Sequence, residues 1–302
     1  MTAATPFKSG FVGLIGRPNV GKSTLLNQVL GQKIAITSDK PQTTRNKIQG
    51  IYSTDEMQAI FLDTPGMHKP KHKLGQYMSL SAQSVMGDVD ILFYLVDATA
   101  EIGGGEKYIS QQLAGSKCPV FLVINKIDLL KKPQLLAVID KYKELGDFAE
   151  VVPVAAKTGE NVEVLLETLK KYLPEGPLYY PLDTVTDQPE QVIIAEIIRE
   201  KILQATTEEI PHAIAVNITE MEERENGLIY IAADIYVERE SQKGIIIGKK
   251  GVMLQKVGSA ARLEVEGIFA SKVFLALRVK MKKDWRNNDT MLKNFGFDKK
   301  EL

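Results

Sequence analysis

A chain of 302 residues is too long for one ordinary domain and suits two. Hydrophobic residues at 44% and charged residues at 25% give the balance of a soluble globular protein, which excludes a disordered, collagen-like or disulfide-stapled chain. The formal net charge of zero hides a segregation: residues 1–180 carry +2, 181–240 carry −10 and 241–302 carry +8. A basic block of this kind attracts phosphate backbones, or serves as a solvated face. No apolar run approaches the roughly 18 residues of a membrane span. The longest, near Ile91–Val96 and Val120–Ile124, are strand-sized. The opening MTAATPFKSGFVGLIG lacks a basic start followed by a long apolar run, so no secretory signal is expected. The single Cys118 rules out an intrachain disulfide and a multi-cysteine metal site, and a reducing, cytoplasmic setting is expected.

In chain order, Gly10–Ile15 reads as a short strand running into a Gly-rich turn, and Lys22–Leu30 has helical spacing. Ile48–Tyr52 and Gln58–Leu62 read as strands joined by a Ser53-Thr54-Asp55 turn. Asp90–Val96 and Pro119–Ile124 are continuous apolar runs of the kind buried on both faces of a sheet, and Glu150–Val154 is a further short strand. Helical stretches separate them at Gly75–Met86, Gly105–Ala114, Pro133–Leu145 and Val162–Tyr172. The alternation predicts an α/β domain with a mostly parallel sheet, whose site lies beyond the C-terminal strand ends. Pro174, Pro177, Pro181 and Pro189 then mark a stiff, extended linker. After it come a helix at Gln191–Gln204 and strands at Ala213–Met221 and Leu228–Glu238, joined through Asn226-Gly227. Gly244–Gly251, a helix to about Glu266, a strand at Lys272–Met281 and a helical tail follow, an α+β order. The expected division is 8–175, a linker at 176–190, a second domain at 191–284 and a tail at 285–302.

Gly16-Arg17-Pro18-Asn19-Val20-Gly21-Lys22-Ser23, followed by Thr24, fits the phosphate-binding loop between a strand and a helix. The curled backbone aims N–H groups at one anion, and the helix N-terminus adds partial positive charge. Lys22 reaches the β- and γ-phosphates and the Ser23 hydroxyl holds Mg²⁺. Asp63-Thr64-Pro65-Gly66 comes about 40 residues later, at a strand end, with Met67 after it. The Asp reaches Mg²⁺ through water, and the Gly66 N–H senses the γ-phosphate. Between these motifs, Lys33–Asn46 reads as a mobile loop in which Thr43 or Thr44 completes the Mg²⁺ shell, the two being indistinguishable here. Asn125-Lys126-Ile127-Asp128 supplies an acceptor-only carboxylate. Guanine offers it N1–H and N2–H donors, whereas adenine would leave it unpaired, so GTP is favoured over ATP. Ala155-Ala156-Lys157 ends the sixth strand, where small residues let the base approach. In the basic block, Gly248-Lys249-Lys250-Gly251 precedes a helix and matches the GxxG clamp of a KH domain, which grips about four nucleotides of single-stranded RNA. The strand Val273–Val279 and a helix face at Ile245–Leu254 are expected to wall a groove for the bases.

The set GRPNVGKS, QTTR, DTPG and NKID resembles the translation-factor-related small GTPases. With the second half included, nearly the whole chain resembles the Era family of bacterial GTPases, a P-loop GTPase domain followed by a type II KH domain. The resemblance implies a GTP-hydrolysing switch in which Lys22, Thr43, Thr44 and Gly66 serve turnover and Ser23, Thr43, Thr44 and Asp63 surround Mg²⁺. It implies partners in single-stranded RNA near the 3′ end of 16S rRNA and the 30S subunit, a role in 30S assembly, and a monomer. Peripheral contact with the inner face of the cell membrane is left open. Two departures stand out. Ala155 replaces the Ser that usually opens the base-contacting motif, which removes a side-chain contact and leaves a backbone one. Met67 stands where Ras-like enzymes carry a water-orienting Gln, and relatives with an apolar residue there hydrolyse GTP by another arrangement. Asn19 matches a position that binds a monovalent cation in some related GTPases, so that K⁺ would supply the charge an arginine finger supplies elsewhere.

Two other functions compete. One is an RNA-binding protein with a structural, non-turnover nucleotide site. The other is a different RNA-linked GTPase, such as a tRNA-modification enzyme, whose C-terminal cysteine motif is absent here. Among the remaining residues, His68 and His72 sit in a Lys-rich loop expected to be solvated, and His212 is expected to open a strand. Trp285 is expected to cover the second core or meet RNA, and Tyr179-Tyr180 to pack the linker.

Overall fold

The structure, a computed structural model, describes residues 6–40, 42–67, 70–206 and 210–302. The expectations for His68 and Lys69 lie outside these residues. The first half runs β1 (Lys8–Gly16), α1 (Lys22–Leu30), β2 (Ile48–Ser53), β3 (Met57–Asp63), α2 (Lys73–Gly87), β4 (Ile91–Asp97), α3 (Gly104–Leu113), β5 (Val120–Asn125), α4 (Lys132–Lys143), β6 (Glu150–Pro153) and α5 (Val162–Tyr172). Its strands form one sheet in the order β2-β3-β1-β4-β5-β6, parallel throughout except for the β2–β3 pair. The unbroken apolar runs of β4 and β5 have a direct cause: both faces of the sheet are covered. Phe93, Leu95, Phe121 and Val123 pack on α1 and α5, while Leu92, Tyr94, Leu122 and Ile124 face Ala82 of α2, Ile109 of α3 and Tyr142 of α4. In register, Leu14 pairs with Asp63, Gly16 with Leu95 and Asp97 with Asn125. The C-terminal ends of β1, β3, β4 and β5 therefore meet along one edge.

The second half runs α6 (Glu190–Ala205), α7 (Ile210–Ala213), β7 (Ala215–Glu223), β8 (Ile229–Val237), α8 (Glu240–Ile247), α9 (Val252–Phe269), β9 (Val273–Met281) and α10 (Asp289–Asn294). The sheet order is β7-β8-β9, with β8 and β9 parallel. Alternation along β8 turns Ile231, Ala233, Ile235 and Val237 onto Ile194, Ile198 and Ile202 of α6, Ile246 of α8 and Val257, Ala261 and Val265 of α9. Two elements differ from expectation. The run Ile245-Ile246-Ile247 is the last turn of α8, whose start is held by Gln242 accepting the N–H groups of Glu238 and Arg239 at 3.0 Å each. Residue 212 belongs to the short α7, and the strand opens two residues later than Ala213.

The proline-rich segment does not hang free. Val185 O accepts the Ile51 N–H at 2.8 Å, Thr186 Oγ1 donates to Gln49 O at 2.6 Å, and Gln58 Oε1 accepts the N–H groups of Tyr179 and Tyr180. It is strapped along the sheet edge by the pair the sequence marked, Tyr179 also packing edge-on against Phe11. Among the described residues no helix is long and apolar enough to cross a membrane.

Candidate functional site

Residues 16–23 leave the C-terminal end of β1 and turn into the N-terminus of α1. Lys22 is 6% exposed and donates through Nζ to the carbonyls of Gly16 at 3.4 Å and Arg17 at 3.1 Å. Burial pushes its pKa down, and the nearby Asp63 charge opposes that. An ammonium held mostly by carbonyl dipoles is completed by a polyphosphate. Asn19 adopts φ 65° and donates through Nδ2 to Asp39 O at 2.7 Å, so the loop's rim touches the 33–46 segment. Arg17 turns away, pairing with Glu106 of α3 at 2.7 Å.

Below Lys22 lies a cluster of oxygens. Ser23 Oγ donates to Asp63 Oδ2 at 2.5 Å and lies 2.9 Å from Thr44 Oγ1, which itself donates to Asp63 Oδ2 at 3.3 Å. Thr43 Oγ1 donates elsewhere, to Lys40 O at 2.6 Å. Of the two threonines the fold thus brings Thr44 to the cluster. Asp63 is fully buried; burial pushes its pKa up, against Lys22 and the hydroxyls of Ser23 and Thr44. Its Oδ1 is buried with no hydrogen-bond partner. Two hydroxyls and an orphaned carboxylate oxygen are the donors a small hard cation such as Mg²⁺ takes.

The rest of the Asp63 motif is packed rather than open. Thr64 Oγ1 donates to Leu14 O at 2.7 Å, tying β3 to β1. At Gly66 a Cβ would lie 2.5 Å from Pro18 N and 2.6 Å from Pro18 Cα, so only glycine lets this backbone lie on the phosphate loop. The Met67 N–H bonds Gly16 O at 3.1 Å and its side chain is buried in the sheet core. Met67 therefore touches the loop by its backbone, and its side chain does not enter the cleft.

On the opposite side, Asn125 staples two loops: Nδ2 donates to Val20 O at 2.8 Å and Oδ1 accepts the Ala156 N–H at 2.9 Å. Lys126, with φ 67°, pairs through Nζ with Asp97 Oδ2 at 2.5 Å. Although burial disfavours the Asp97 charge, hydrogen bonds from Lys126 and Thr99 hold its pKa below the usual carboxylate range. Ile127, Ala155 and Ala156 are buried, whereas Asp128 is exposed. A cleft of ≈ 650 Å³ joins both sides, bounded by Lys22, Ser23, Thr24, Thr44, Lys126 and Lys157. Its size lies in the ordinary range for small-molecule sites.

The loops beside this cleft reach the second half. Arg45 is buried, donates to Ile214 O at 2.5 Å and His212 O at 3.3 Å, and lies over the Trp285 ring at 5.9 Å. Lys73, at the start of α2, pairs with Asp289 at 2.5 Å. Trp285 is fully buried and donates to Ala213 O at 2.8 Å. It shares a small core with Leu74, Tyr77 and Met78 of α2. Trp285 thus joins the two halves, a role beyond covering the second core.

The GxxG turn lies between α8 and α9, with Lys249 and Lys250 exposed. Gly248 has φ 74° and ψ 173°, a conformation open essentially to glycine alone, and a Cβ there would lie 2.6 Å from Met253 Cβ. A groove of ≈ 370 Å³ leads from Gly251 between α9 and β9, over Leu254, Gly258, Leu275 and Leu277, to Arg262. The strand wall is as expected; the helix wall is α9, and Ile245 is exposed on α8 instead. Sequence reading missed Gly258 and Arg262. The small-residue run Gly258-Ser259-Ala260-Ala261 was the available signal, since it lets a strand approach the helix.

A phosphate-binding loop, the Asn125–Asp128 motif after β5 and a GxxG turn on a three-stranded α/β layer define a GTP-binding protein with a KH domain. Residues 11–126 match the family described as 50S ribosome-binding GTPase, and residues 209–286 match the KH domain family. Over 96% of this chain and 99% of theirs, two solved structures are similar at 40% identity. One, with TM-score 0.93, is a point variant of Era from Aquifex aeolicus bound to GDP·AlF4⁻. The other, with TM-score 0.94, is Era in complex with MgGDPNP and nucleotides 1506–1542 of 16S ribosomal RNA. The chain belongs to the Era family of GTPases.

Proposed function

We infer that the chain hydrolyses GTP to GDP and phosphate and binds single-stranded RNA from the 3′ end of 16S rRNA, acting in assembly of the 30S subunit. The observation that carries this reading is one cleft bounded by Lys22, the Ser23–Thr44–Asp63 cluster and the Lys126 side of the base motif, in a chain that also carries the GxxG groove. Similarity to an Era complex with MgGDPNP and 16S rRNA nucleotides supports both ligands. The proposed division is a GTP-binding domain at 8–175, a strap at 176–190, a KH domain at 191–284 and a tail at 285–302.

In the proposed reaction, Lys22 pairs the terminal phosphates and the loop N–H groups hold their oxygens in place, so the chain supplies positioning and charge. Ser23 and Thr44 would hold Mg²⁺ directly and Asp63 through water. An ion held there would supply positive charge against the negative charge of the terminal phosphates. Gly66 presents its N–H beside Pro18, where it meets a γ-phosphate and loses that partner after hydrolysis. The Met67 side chain is buried and apolar, so it neither orients water nor takes a proton. Asn19 and the Asp39 carbonyl, already in contact, offer oxygens for K⁺, which would add the missing positive charge. The cytoplasm is the proposed location. Peripheral contact with anionic lipid would use the exposed Lys282, Lys283, Lys299 and Lys300. The test is GTP turnover by the full chain with and without the 16S 3′-end RNA. Mg²⁺-dependent turnover is expected; nucleotide binding without turnover in both conditions would favour an RNA-binding protein with a structural nucleotide.

A further inference from the structure

Two adjacent residues of α6 hold the Thr44-bearing loop from outside its own domain. Glu200 is fully buried; its Oε1 accepts the Thr37 N–H at 2.9 Å and its Oε2 pairs with Lys33 at 2.5 Å. Arg199, 2% exposed, donates through Nη2 to the Thr43 carbonyl, while Glu196 takes its other contacts. Thr43 directly precedes Thr44, whose hydroxyl meets Ser23 and Asp63. Residues 33–40 and 42–46 have no helix or strand to fix their path. Apart from the Asn19 and Lys40 contacts, the bonds given above for residues 37, 43 and 45 all run to the KH half. Charged side chains are rarely buried this deeply unless they have partners. Here Glu200 finds Lys33 and the Thr37 N–H, and Arg199 the Thr43 carbonyl, in the other domain, beside their same-helix partners Lys201 and Glu196.

We propose that Arg199 and Glu200 of the KH domain are positioning residues for GTP hydrolysis, setting the loop so that Thr44 stands at the metal cluster. This rests on the Mg²⁺ role proposed for Ser23, Thr44 and Asp63. Neither residue touches the nucleotide cleft, so the effect passes through the main chain at residues 37 and 43. A hydrogen bond from a charged donor to a carbonyl is directional and strong, and it fixes the peptide that leads into Thr44. The RNA-binding domain thereby completes the catalytic loop of its neighbour. Movement of α6 away from the loop would release Thr44.

The test uses the full-length protein and reads the Mg²⁺ concentration giving half-maximal GTP turnover, with kcat and KM, for Arg199→Ala, Arg199→Lys and Glu200→Gln. Arg199→Ala is expected to raise the Mg²⁺ midpoint about tenfold and lower kcat. GDP affinity measured in EDTA, which depends on the Asn125–Asp128 side, should stay within about twofold. Arg199→Lys, which still donates to the Thr43 carbonyl, is expected to recover part of the loss. Glu200→Gln keeps an acceptor for the Thr37 N–H and loses the ion pair, so an intermediate shift is expected. A thermal melt of each variant identifies any that fails to fold, and the isosteric Glu200→Gln then decides. An unchanged Mg²⁺ midpoint in folded variants would overturn the proposal and leave Arg199 and Glu200 as domain glue. A wild type without Mg²⁺-dependent turnover would instead count against the GTPase reading itself.

Discussion

Asp128 is exposed, while Asn125, three residues before it, is buried and engaged with two loops. The motif therefore divides: Asn125 is spent on holding two loops, and the base-reading role proposed for Asp128 falls to an exposed carboxylate. Asp128→Asn replaces one acceptor by an amide that offers a donor to the carbonyl at position 2 of xanthine. It is expected to weaken GTP binding by at least ~1.4 kcal/mol, or tenfold, and to improve xanthosine triphosphate. Paired dissociation constants check this, and an unchanged GTP affinity would remove the assignment. At Asn19, turnover is expected to be faster in K⁺ than in Na⁺ at equal ionic strength. Asn19→Ala should level the two rates. Much of this site was legible because phosphate loops and base motifs are short runs whose spacing carries the chemistry. Two facts were not. Thr43 and Thr44 are chemically alike, and only the folded path of the loop sends one hydroxyl to Asp63 and the other to Lys40. The burial of Met67 depends on how the chain after β3 crosses β1 and joins the sheet core.

At the scale of elements, unbroken apolar runs announced β4 and β5, and α5 was read to its ends because its inward Val162, Leu165, Leu166 and Leu169 keep helical spacing. Of α8 only the apolar end was legible, within the helix face at Ile245–Leu254; its start was not, because its eight residues include Gly244, and only Gln242 and Ile246 of it are buried. The GxxG turn that α8 leads into should carry RNA binding. Lys249→Asp with Lys250→Asp is expected to abolish most single-stranded RNA affinity and leave RNA-free GTP turnover nearly unchanged. Each lost phosphate contact should also lower the salt slope by ~0.7. Anisotropy titrations over a range of salt test this; affinity that survives the reversal would make the basic block a solvated face. The tail is a second case. Sequence marked Trp285 as a cover for the second core or a contact for RNA, but its partners Tyr77 and Met78 come from α2, more than 200 residues earlier. Trp285→Ala removes a fully buried indole and its bond to Ala213 O, and is expected to cost about 3–5 kcal/mol in a denaturant titration. A loss under about 1 kcal/mol would mean that the tail core contributes little.

Across the whole molecule, the segments proposed to sense nucleotide are the ones that touch the KH domain. The loop carrying Thr44 meets α6 and Ile214, and α2, which follows Gly66, meets the tail core. None of this was legible in the sequence. Ion pairs such as that of the exposed Lys33 with the buried Glu200 join residues far apart in the chain, and no local pattern marks either partner. The charge segregation was legible as three blocks, and the structure gives it a use. The acidic segment supplies Glu200 to Lys33 across the interface and Glu196 to Arg199 on its own helix, while the GxxG lysines are exposed. If the two domains share one equilibrium, coupling between their ligands must be reciprocal. The most direct measurement is a thermodynamic box on the full chain. It takes the affinity for a short 16S 3′-end RNA with Mg²⁺ and a non-hydrolysable GTP analogue, then with GDP, and the affinity for each nucleotide with and without that RNA. The account predicts that RNA affinity differs between nucleotide states by at least about fivefold and that RNA shifts relative nucleotide affinity by the same factor. Equal RNA affinity in both nucleotide states would contradict it.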